Sequence, residues 1–292
     1  MPERIGFVGL GNMGHPMTSR LVGAGHEVHA FDVAEAARAR AVEAGATEAT
    51  TLAAAADGAD LVILMLPNSD IVEQVALDAA FLEALPAGAT VVDMSSSEPR
   101  RTQALAGRLA ERGIRMVDAP VSGGVKGAEK GALTIMVGGE DADVARVTPV
   151  LEVLGRPVHA GGIGSGHAVK ALNNLLSATH LWATSEAIEA GRRFGLDPEV
   201  MLAVFNGSSG RSGSTENKWP NFILPGTFDS GFGLRLMLKD MRIAVQLAEQ
   251  SGAPSRLGAD AVALWAEAAE ALPPTADHTE VARVVAASEG DG

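Results

Sequence analysis

Residues 4–14 read Arg-Ile-Gly-Phe-Val-Gly-Leu-Gly-Asn-Met-Gly, and residues 27–32 read Glu-Val-His-Ala-Phe-Asp. The first stretch is an apolar run closed by Gly9, Gly11 and Gly14 in G-x-G-x-x-G spacing, and a helical pattern over Met13–Ala24 follows it. Each glycine answers a physical demand. Gly9 permits a tight turn, Gly11 lets the backbone approach a pyrophosphate, and Gly14 lets helix and strand pack closely. The helix start then offers unpaired N–H groups and a positive dipole end. The second stretch ends on Asp32, 21 positions after Gly11, close to the ~20 of a dinucleotide fold. An acidic residue there binds ribose hydroxyls and repels a 2′-phosphate, which favours NAD over NADP. Asp32 also suits a plain turn after the strand. Val33 and Ala34 bring no arginine for a phosphate; Arg38 and Arg40, on the next helical pattern, are the residues that could admit NADP. The expected cofactor-binding set here is Gly9, Leu10, Gly11, Asn12, Met13, Gly14, Asp32 and Val33.

Outward from this motif, short apolar runs alternate with helical patterns. Strands are expected at Arg4–Gly9, Glu27–Asp32, Asp60–Leu66, Ala89–Met94, Ile114–Ala119, Leu133–Val137 and Pro157–Ala160. Helices are expected at Met13–Ala24, Ala34–Ala44, Pro99–Arg112 and Asp141–Leu154. Such alternation predicts an α/β fold with a parallel sheet covered on both faces. From Ile114 to Val137 strands follow one another across a Gly-rich loop, so that end of the sheet is expected to be mixed.

The pattern changes near Gly161. Ser165 reads as an N-cap, and Val169, Leu172, Leu176, Thr179 and Ala183 recur at helical spacing, predicting one helix of about 28 residues. Only helical patterns come after it: Pro198–Asn206, Leu234–Ser251, Arg256–Ala271 and His278–Ala287, with a loop expected over Gly207–Gly233. Two domains are therefore expected, an NAD-binding α/β domain over 1–162 and an all-α substrate and oligomerisation domain over 163–292. Ser288–Gly292 reads as a frayed end.

Composition narrows the function. The chain has 292 residues and no cysteine, so disulfides, thiolate metal sites and thiol catalysis are out. Lys+Arg is 23 against Asp+Glu 36, a formal net charge of −13, which argues against nucleic-acid and anionic-membrane partners. No secretory leader is apparent in residues 1–8, and no apolar run is long enough to span a membrane, so a cytoplasmic location is expected. The histidine spacing offers no metal motif.

Two constellations carry candidate chemistry. Lys170 and Asn174 lie four apart near the start of the long helix, hence on one face, and the positive helix end beside them would help depress a lysine pKa. The same spacing also fits a solvated lysine. Asp118-Ala119-Pro120-Val121-Ser122-Gly123-Gly124 follows a strand, and successive N–H groups of Ser-Gly-Gly can form an anion nest or an ordinary tight turn. Leu66-Pro67 and Ser95–Ser97 close two strands on the ligand side of a doubly wound sheet; the serines equally fit an N-cap for the helix at Pro99. Among the seven histidines, His167 alone stands beside these elements.

Gly9–Gly14, Asp118–Gly124, Gly164–Asn174 and Lys239-Asp240, in that order over Ile5 to about Trp265, resemble the β-hydroxyacid dehydrogenase family, which includes 3-hydroxyisobutyrate dehydrogenase and tartronate semialdehyde reductase. The resemblance implies a Rossmann domain and an all-helical domain joined by a long helix. It implies Lys170 as the catalytic lysine and Asn174 as the asparagine orienting it or the substrate. It implies Ser122, Gly123 and Gly124 as the substrate carboxylate segment, with Phe232 walling the pocket. Leu66, Pro67 and Ser96 match cofactor-lining positions, and Lys239 matches a lysine on the cofactor side. A homodimer or homotetramer is implied, with no metal. Lys170 separates the chain from imine reductases, and no phosphate grip of the 6-phosphogluconate dehydrogenases is found. Gly207–Trp219 departs from the 3-hydroxyisobutyrate pattern, placing Arg211, Glu216, Asn217 and Lys218 where Cys-Trp-Ser and aromatic–Asn–Pro elements are expected. The resemblance thus implies reversible NAD-dependent oxidation of a small 3-hydroxy acid to its semialdehyde. Its rivals are reduction of a small carboxylate aldehyde (tartronate semialdehyde, glyoxylate or succinic semialdehyde) and a non-catalytic dinucleotide sensor.

Overall fold

The computed structural model describes residues 3–288; the expectation for Ser288–Gly292 therefore falls, from residue 289 on, outside the described residues. The chain divides into two compact units, Met1–Lys170 and Ala171–Gly292. The division falls inside one helix.

Among the described residues the first unit is built on nine strands: β1 (Arg4–Val8), β2 (Glu27–Phe31), β3 (Thr47–Glu48), β4 (Leu61–Leu64), β5 (Thr90–Asp93), β6 (Arg115–Asp118), β7 (Val121–Ser122), β8 (Leu133–Gly138) and β9 (Gly155–Gly161). They form one sheet. From β3 through β2, β1, β4 and β5 to β6 every pairing is parallel. The strands β1, β4 and β5 are buried almost throughout, as strands covered on both faces must be. The sheet then turns mixed, as the short Ile114–Val137 spacing predicts. β6 and β7 pair antiparallel with β8 in one register, Asp118 opposite Gly138 and Ser122 opposite Thr134, while β9 pairs parallel with β8. The chain from β6 through Pro120 to β7 thus runs along one side of β8, with the Met136 N–H donating to the Pro120 carbonyl.

Helices α1 (Gly14–Gly23), α2 (Glu35–Glu43), α3 (Leu52–Ala56), α4 (Ser69–Ala76), α5 (Ala79–Ala84), α6 (Pro99–Ala110), α7 (Gly124–Lys130) and α8 (Asp141–Leu154) complete the unit. One apolar cluster joins Ile5, Phe7, Met17, Leu21, Ile63, Leu151 and Leu154; another joins Val62, Leu64, Phe81, Leu105 and Leu109. Alternate residues of β1 and β4 divide between them, so the two clusters are the two faces of the sheet. The strand order reverses between β1 and β4, which puts the ligand crevice outside their carboxyl ends.

Helix α9 (Ser165–Phe194) is 30 residues long, close to the length read from its apolar spacing. In the second unit it is followed by α10 (Pro198–Asn206), α11 (Leu234–Gln250), α12 (Arg256–Ala271) and α13 (Val281–Ala287). The loop expected over Gly207–Gly233 is a correction. Ser214–Ile223 is a π-helical stretch, and Trp219 and Ile223, four apart, bury one face of it. Its polar residues and Pro220 hide the helical signal, and packing of those two side chains supplies the stabilisation that propensity lacks. The 3-10 turn His278–Glu280 leads α13, held by a capping box in which Asp277 and Glu280 exchange hydrogen bonds with the backbone.

Trp265 is fully buried at the centre of this unit, among Trp182, Trp219 and Met241. Trp265→Ala should cost about 3–5 kcal/mol, read as a lowered denaturant midpoint; a midpoint within error of the parent would contradict this core.

Candidate dinucleotide and acid–base site

The glycine loop between β1 and α1 behaves as its three demands require. Gly9 has a positive φ of 99°, and a Cβ there would collide with the Met65 carbonyl. A Cβ on Gly14 would collide with the Gly9 carbonyl, so α1 rests directly on the end of β1. Gly11 differs. A Cβ there would meet no protein atom within 4 Å, and the residue is exposed. Nothing in the fold forces glycine at Gly11, so the open space above its backbone is room for a ligand. Helix α1 has no side-chain cap and no acidic residue in its first turn, which leaves its amide end available to an anion. These residues fit a dinucleotide pyrophosphate.

Asp32 lies beside the same loop. Its Oδ2 accepts the Leu10 N–H at 2.8 Å and its Oδ1 accepts the Ala34 N–H at 2.8 Å. It therefore begins the turn, as the plain reading has it, and also stands against the glycine loop with lone pairs left to accept hydroxyls. Arg38 is engaged elsewhere. Its Nη1 donates to the Asp32 carbonyl at 2.8 Å and its Nε to Glu48 at 3.0 Å. Asn12, Val33 and Arg40 are exposed and Met13 is half-buried.

Leu66 and Pro67 follow β4, and Ser95–Ser97 follow β5. Ser95 is buried and its Oγ accepts the Leu66 N–H at 2.9 Å, joining the two strand ends. The Ser97 Oγ donates to Asp93 at 2.7 Å. The N-cap alternative for these serines is corrected: the cap position of α6 is Glu98, whose own N–H donates to the Ser69 Oγ. Ser96 is half-buried between them.

At the end of β6 the Asp118 carboxylate is fully buried. Its Oδ1 accepts the Gly164 N–H at 2.7 Å and its Oδ2 accepts the His167 N–H at 2.8 Å. Asp118 thus caps α9 from a distant strand, in place of the expected Ser165. Ser122 ends β7, and Gly123 and Gly124 lead into α7, both at positive φ (134° and 63°). One turn beyond the capped start of α9 stands Lys170, 7% exposed, the last residue of the first unit. A lysine this buried among apolar and polar neighbours is not a solvated surface charge.

In the second unit, Asn174 is buried and its Nδ2 donates to Asp240 at 2.7 Å. Lys239 pairs with the other oxygen of Asp240 at 3.4 Å. Phe232 is held through its backbone: its N–H donates to Asp277 at 3.2 Å, and its ring stands edge-on to His278 at 5.8 Å. Asp277 also accepts from Ser230, Gly231 and Thr279. Burial pushes its pKa up, but hydrogen bonds from His278 and Thr279 outweigh that and hold it well below the usual carboxylate range. Its stabilising contribution is therefore complete above that range and lost as pH falls below it. Of the unusual segment, Arg211 is paired with Glu216 at 2.7 Å. Burial pulls the Lys218 pKa down, opposed by Asp277, and its Nζ lies 5.6 Å from the Phe222 ring centre.

Sequence reasoning missed Asp93, Asp240 and Asp277 as organising carboxylates. Asp240 and Asp277 act over long sequence separations that no local pattern reveals, whereas Asp93 accepts from Ser95 and Ser97 close by. Among the described residues no group of three or more His, Asp or Glu is placed to hold a metal ion, and no helix is long and apolar enough to cross a membrane.

Comparison with known proteins gives two family matches. Residues 4–164 match the NAD binding domain of 6-phosphogluconate dehydrogenase, and residues 164–285 match the NAD-binding domain of NADP-dependent 3-hydroxyisobutyrate dehydrogenase. The chain is 42% identical to 2-(hydroxymethyl)glutarate dehydrogenase of Eubacterium barkeri, over 90% of this chain and 88% of that one. It is 37% identical to NAD-dependent L-serine dehydrogenase of Pseudomonas aeruginosa, over 90% and 91%. In structure it is similar to Mycobacterium tuberculosis 3-hydroxyisobutyrate dehydrogenase with L-serine, at a TM-score of 0.93 and 33% identity, covering 98% of this chain and 100% of that one.

Asp32→Ala should weaken NAD by roughly 10- to 100-fold, the worth of charge-assisted hydrogen bonds, and shift preference toward NADP. Initial rates with both cofactors check this; an unchanged NAD:NADP ratio would contradict the role of Asp32.

Proposed function

The chain belongs to the β-hydroxyacid dehydrogenase family, and from that premise we propose that it reversibly oxidises a small 3-hydroxy acid, of the 3-hydroxyisobutyrate kind, to its semialdehyde with NAD. As a member it is an NAD(P)-dependent oxidoreductase of hydroxy acids. The observation that carries the finer reading is Lys170, a buried lysine one turn inside the capped start of α9, in the same unit as the glycine loop.

The substrates in the relatives' names point to a substrate class. 2-(Hydroxymethyl)glutarate, L-serine and 3-hydroxyisobutyrate all contain HOCH2–CH(R)–COO⁻ and differ only in R. A 2-substituted 3-hydroxypropanoate is therefore the class we assign to this chain. Ser122, Gly123 and Gly124 bind its carboxylate, and Phe232 walls the side of R. Asn174, fixed by Asp240, holds its place beside the lysine or substrate. The residues Gly9–Gly14, Asp32, Val33, Leu66, Pro67, Ser96 and Lys239 hold the dinucleotide. When bound, NAD supplies the hydride acceptor in oxidation and the hydride donor in reduction. Neutral Lys170 takes the hydroxyl proton as the C–H bond breaks, so the alcohol becomes the aldehyde. Protonated Lys170 returns that proton to the carbonyl oxygen in the reverse direction. The engagement of Arg38 by Asp32 and Glu48 supports NAD over NADP. A homodimer or homotetramer in the cytoplasm completes the reading, supported by Leu172 and Leu176, apolar side chains left exposed on α9.

General acid–base help of this kind is worth about 10²–10⁴-fold. Lys170→Ala should lose turnover by that factor and retain NAD binding, measured by rates on a panel of 2-substituted 3-hydroxypropanoates and by titration with NAD. Lys170→Arg should be similarly poor, because guanidinium hardly deprotonates. Unchanged turnover in Lys170→Ala, or equal loss of turnover and NAD binding, would overturn the assignment.

A further inference from the structure

Fully buried at the carboxyl ends of β5 and β6 is a side-chain cluster that the reaction as described does not use. His167 is 1% exposed. Its Nε2 lies 3.1 Å from the Ser95 carbonyl, which can only accept, so Nε2 carries the hydrogen. Its Nδ1 lies 2.9 Å from the Thr102 Oγ1 on α6. Its backbone N–H donates to Asp118 on β6. Two buried carboxylates flank the ring, Asp93 at 3.6 Å from Nε2 and Asp118 at 3.6 Å from Nδ1. Asp93 is itself fixed by the Ser95 N–H at 2.9 Å and the Ser97 hydroxyl at 2.7 Å. One residue of α9 is therefore tied to a strand end, a neighbouring helix and a cap at once.

The backbone around it has no slack. A Cβ on Gly166 would collide with the Met136 carbonyl and crowd Asp118, and a Cβ on Gly138 would collide with Asp118. The first turn of α9 lies flush against β6 and β8. His167 and Lys170 are three residues apart on that helix, so they share a side about 4.5 Å apart along the axis.

We propose that His167 is a positioning residue for Lys170: its ring, clamped between the Ser95 carbonyl and the Thr102 hydroxyl, sets the rotation and depth of the first turn of α9, and with them the place from which the lysine amine reaches the substrate. This rests on the reading of Lys170 as the acid–base group. The physical stake is large, because a misplacement of about 1 Å at a reacting group costs on the order of 10²-fold in rate. Binding of NAD depends on the glycine loop and Asp32 and should not register the change.

The test is steady-state kinetics of His167→Ala, His167→Gln and Thr102→Val, with NAD affinity and melting temperature measured on each. The Gln amide keeps an N–H able to donate to the Ser95 carbonyl, and Val keeps the shape of Thr without its hydroxyl. His167→Ala should lower kcat by about 10- to 100-fold, with KM and the NAD Kd within about threefold. His167→Gln should recover most of that loss, and Thr102→Val should lower kcat in the same pattern. A kcat change under threefold in folded His167→Ala, equal losses in kcat and NAD binding, or failure of Gln to recover turnover would overturn the proposal. If His167→Ala does not fold, Thr102→Val decides by the same split, a drop in kcat alone supporting the proposal and an unchanged kcat overturning it. Lys170→Ala run alongside separates the two levels: retained turnover there removes the acid–base reading itself, whereas its loss beside an unaffected His167→Ala removes only the positioning role.

Discussion

The Asp118 carboxylate, buried at the end of β6, accepts the Gly164 and His167 amides that open α9. A helix start leaves its first N–H groups without partners, and burying them unpaired is costly. Here a strand from another part of the chain meets that need, with a charge whose sign suits the helix dipole. The bond therefore fixes where the long helix begins. It requires glycine at Gly138 and Gly166, because no side chain fits between the carboxylate and the strand it lies against. It also determines where Lys170 stands, one turn on. Strand, cap, helix and lysine form one chain of cause.

Buried carboxylates do comparable work in the second unit. Asp240 holds Asn174 and Lys239, and Asp277 gathers the amides and hydroxyls of Ser230, Gly231, Phe232 and Thr279. In each case an acidic residue organises polar groups that a helical core of Leu, Met and Trp would leave unpaired. The residues assigned to cofactor and substrate thus rest on hydrogen-bonded anchors whose own side chains are spent on structure.

Much of this was legible in the sequence. The strands β1, β2, β4, β5, β6 and β8 are short stretches centred on apolar residues, and each is found within a residue or two of its expected limits. Helices α8 and α12 match their expected bounds, because apolar spacing and flanking acidic, Gly or Pro residues mark both ends. The glycine loop and Asp32 could be read because they fall at fixed spacing within one strand–helix–strand unit, where the Gly9 carbonyl excludes a side chain at Gly14 and Asp32 accepts the Leu10 N–H. What stayed hidden depends on contacts far apart in sequence. β3 and β7 are two residues long and exist only as partners of β2 and β8. The π-helical Ser214–Ile223 takes its shape from two buried apolar side chains, Trp219 and Ile223, among polar ones. Ser95 and Ser97 look like caps locally; instead Ser95 joins the ends of β4 and β5, and Ser97 donates to Asp93. The Ser122–Gly124 turn and Lys170 carry chemistry by family likeness, and their geometry alone is that of a strand-to-helix turn and a buried lysine.

The most direct test of the central claim follows the hydride itself. The protein is incubated with NAD and 3-hydroxyisobutyrate deuterated at the hydroxymethyl carbon, and the reduced cofactor is analysed by NMR. The account predicts deuterium at the nicotinamide C4, together with a semialdehyde product. NAD bound but undeuterated after incubation, with this acid and with the serine and 2-(hydroxymethyl)glutarate analogues labelled in the same way, would contradict it.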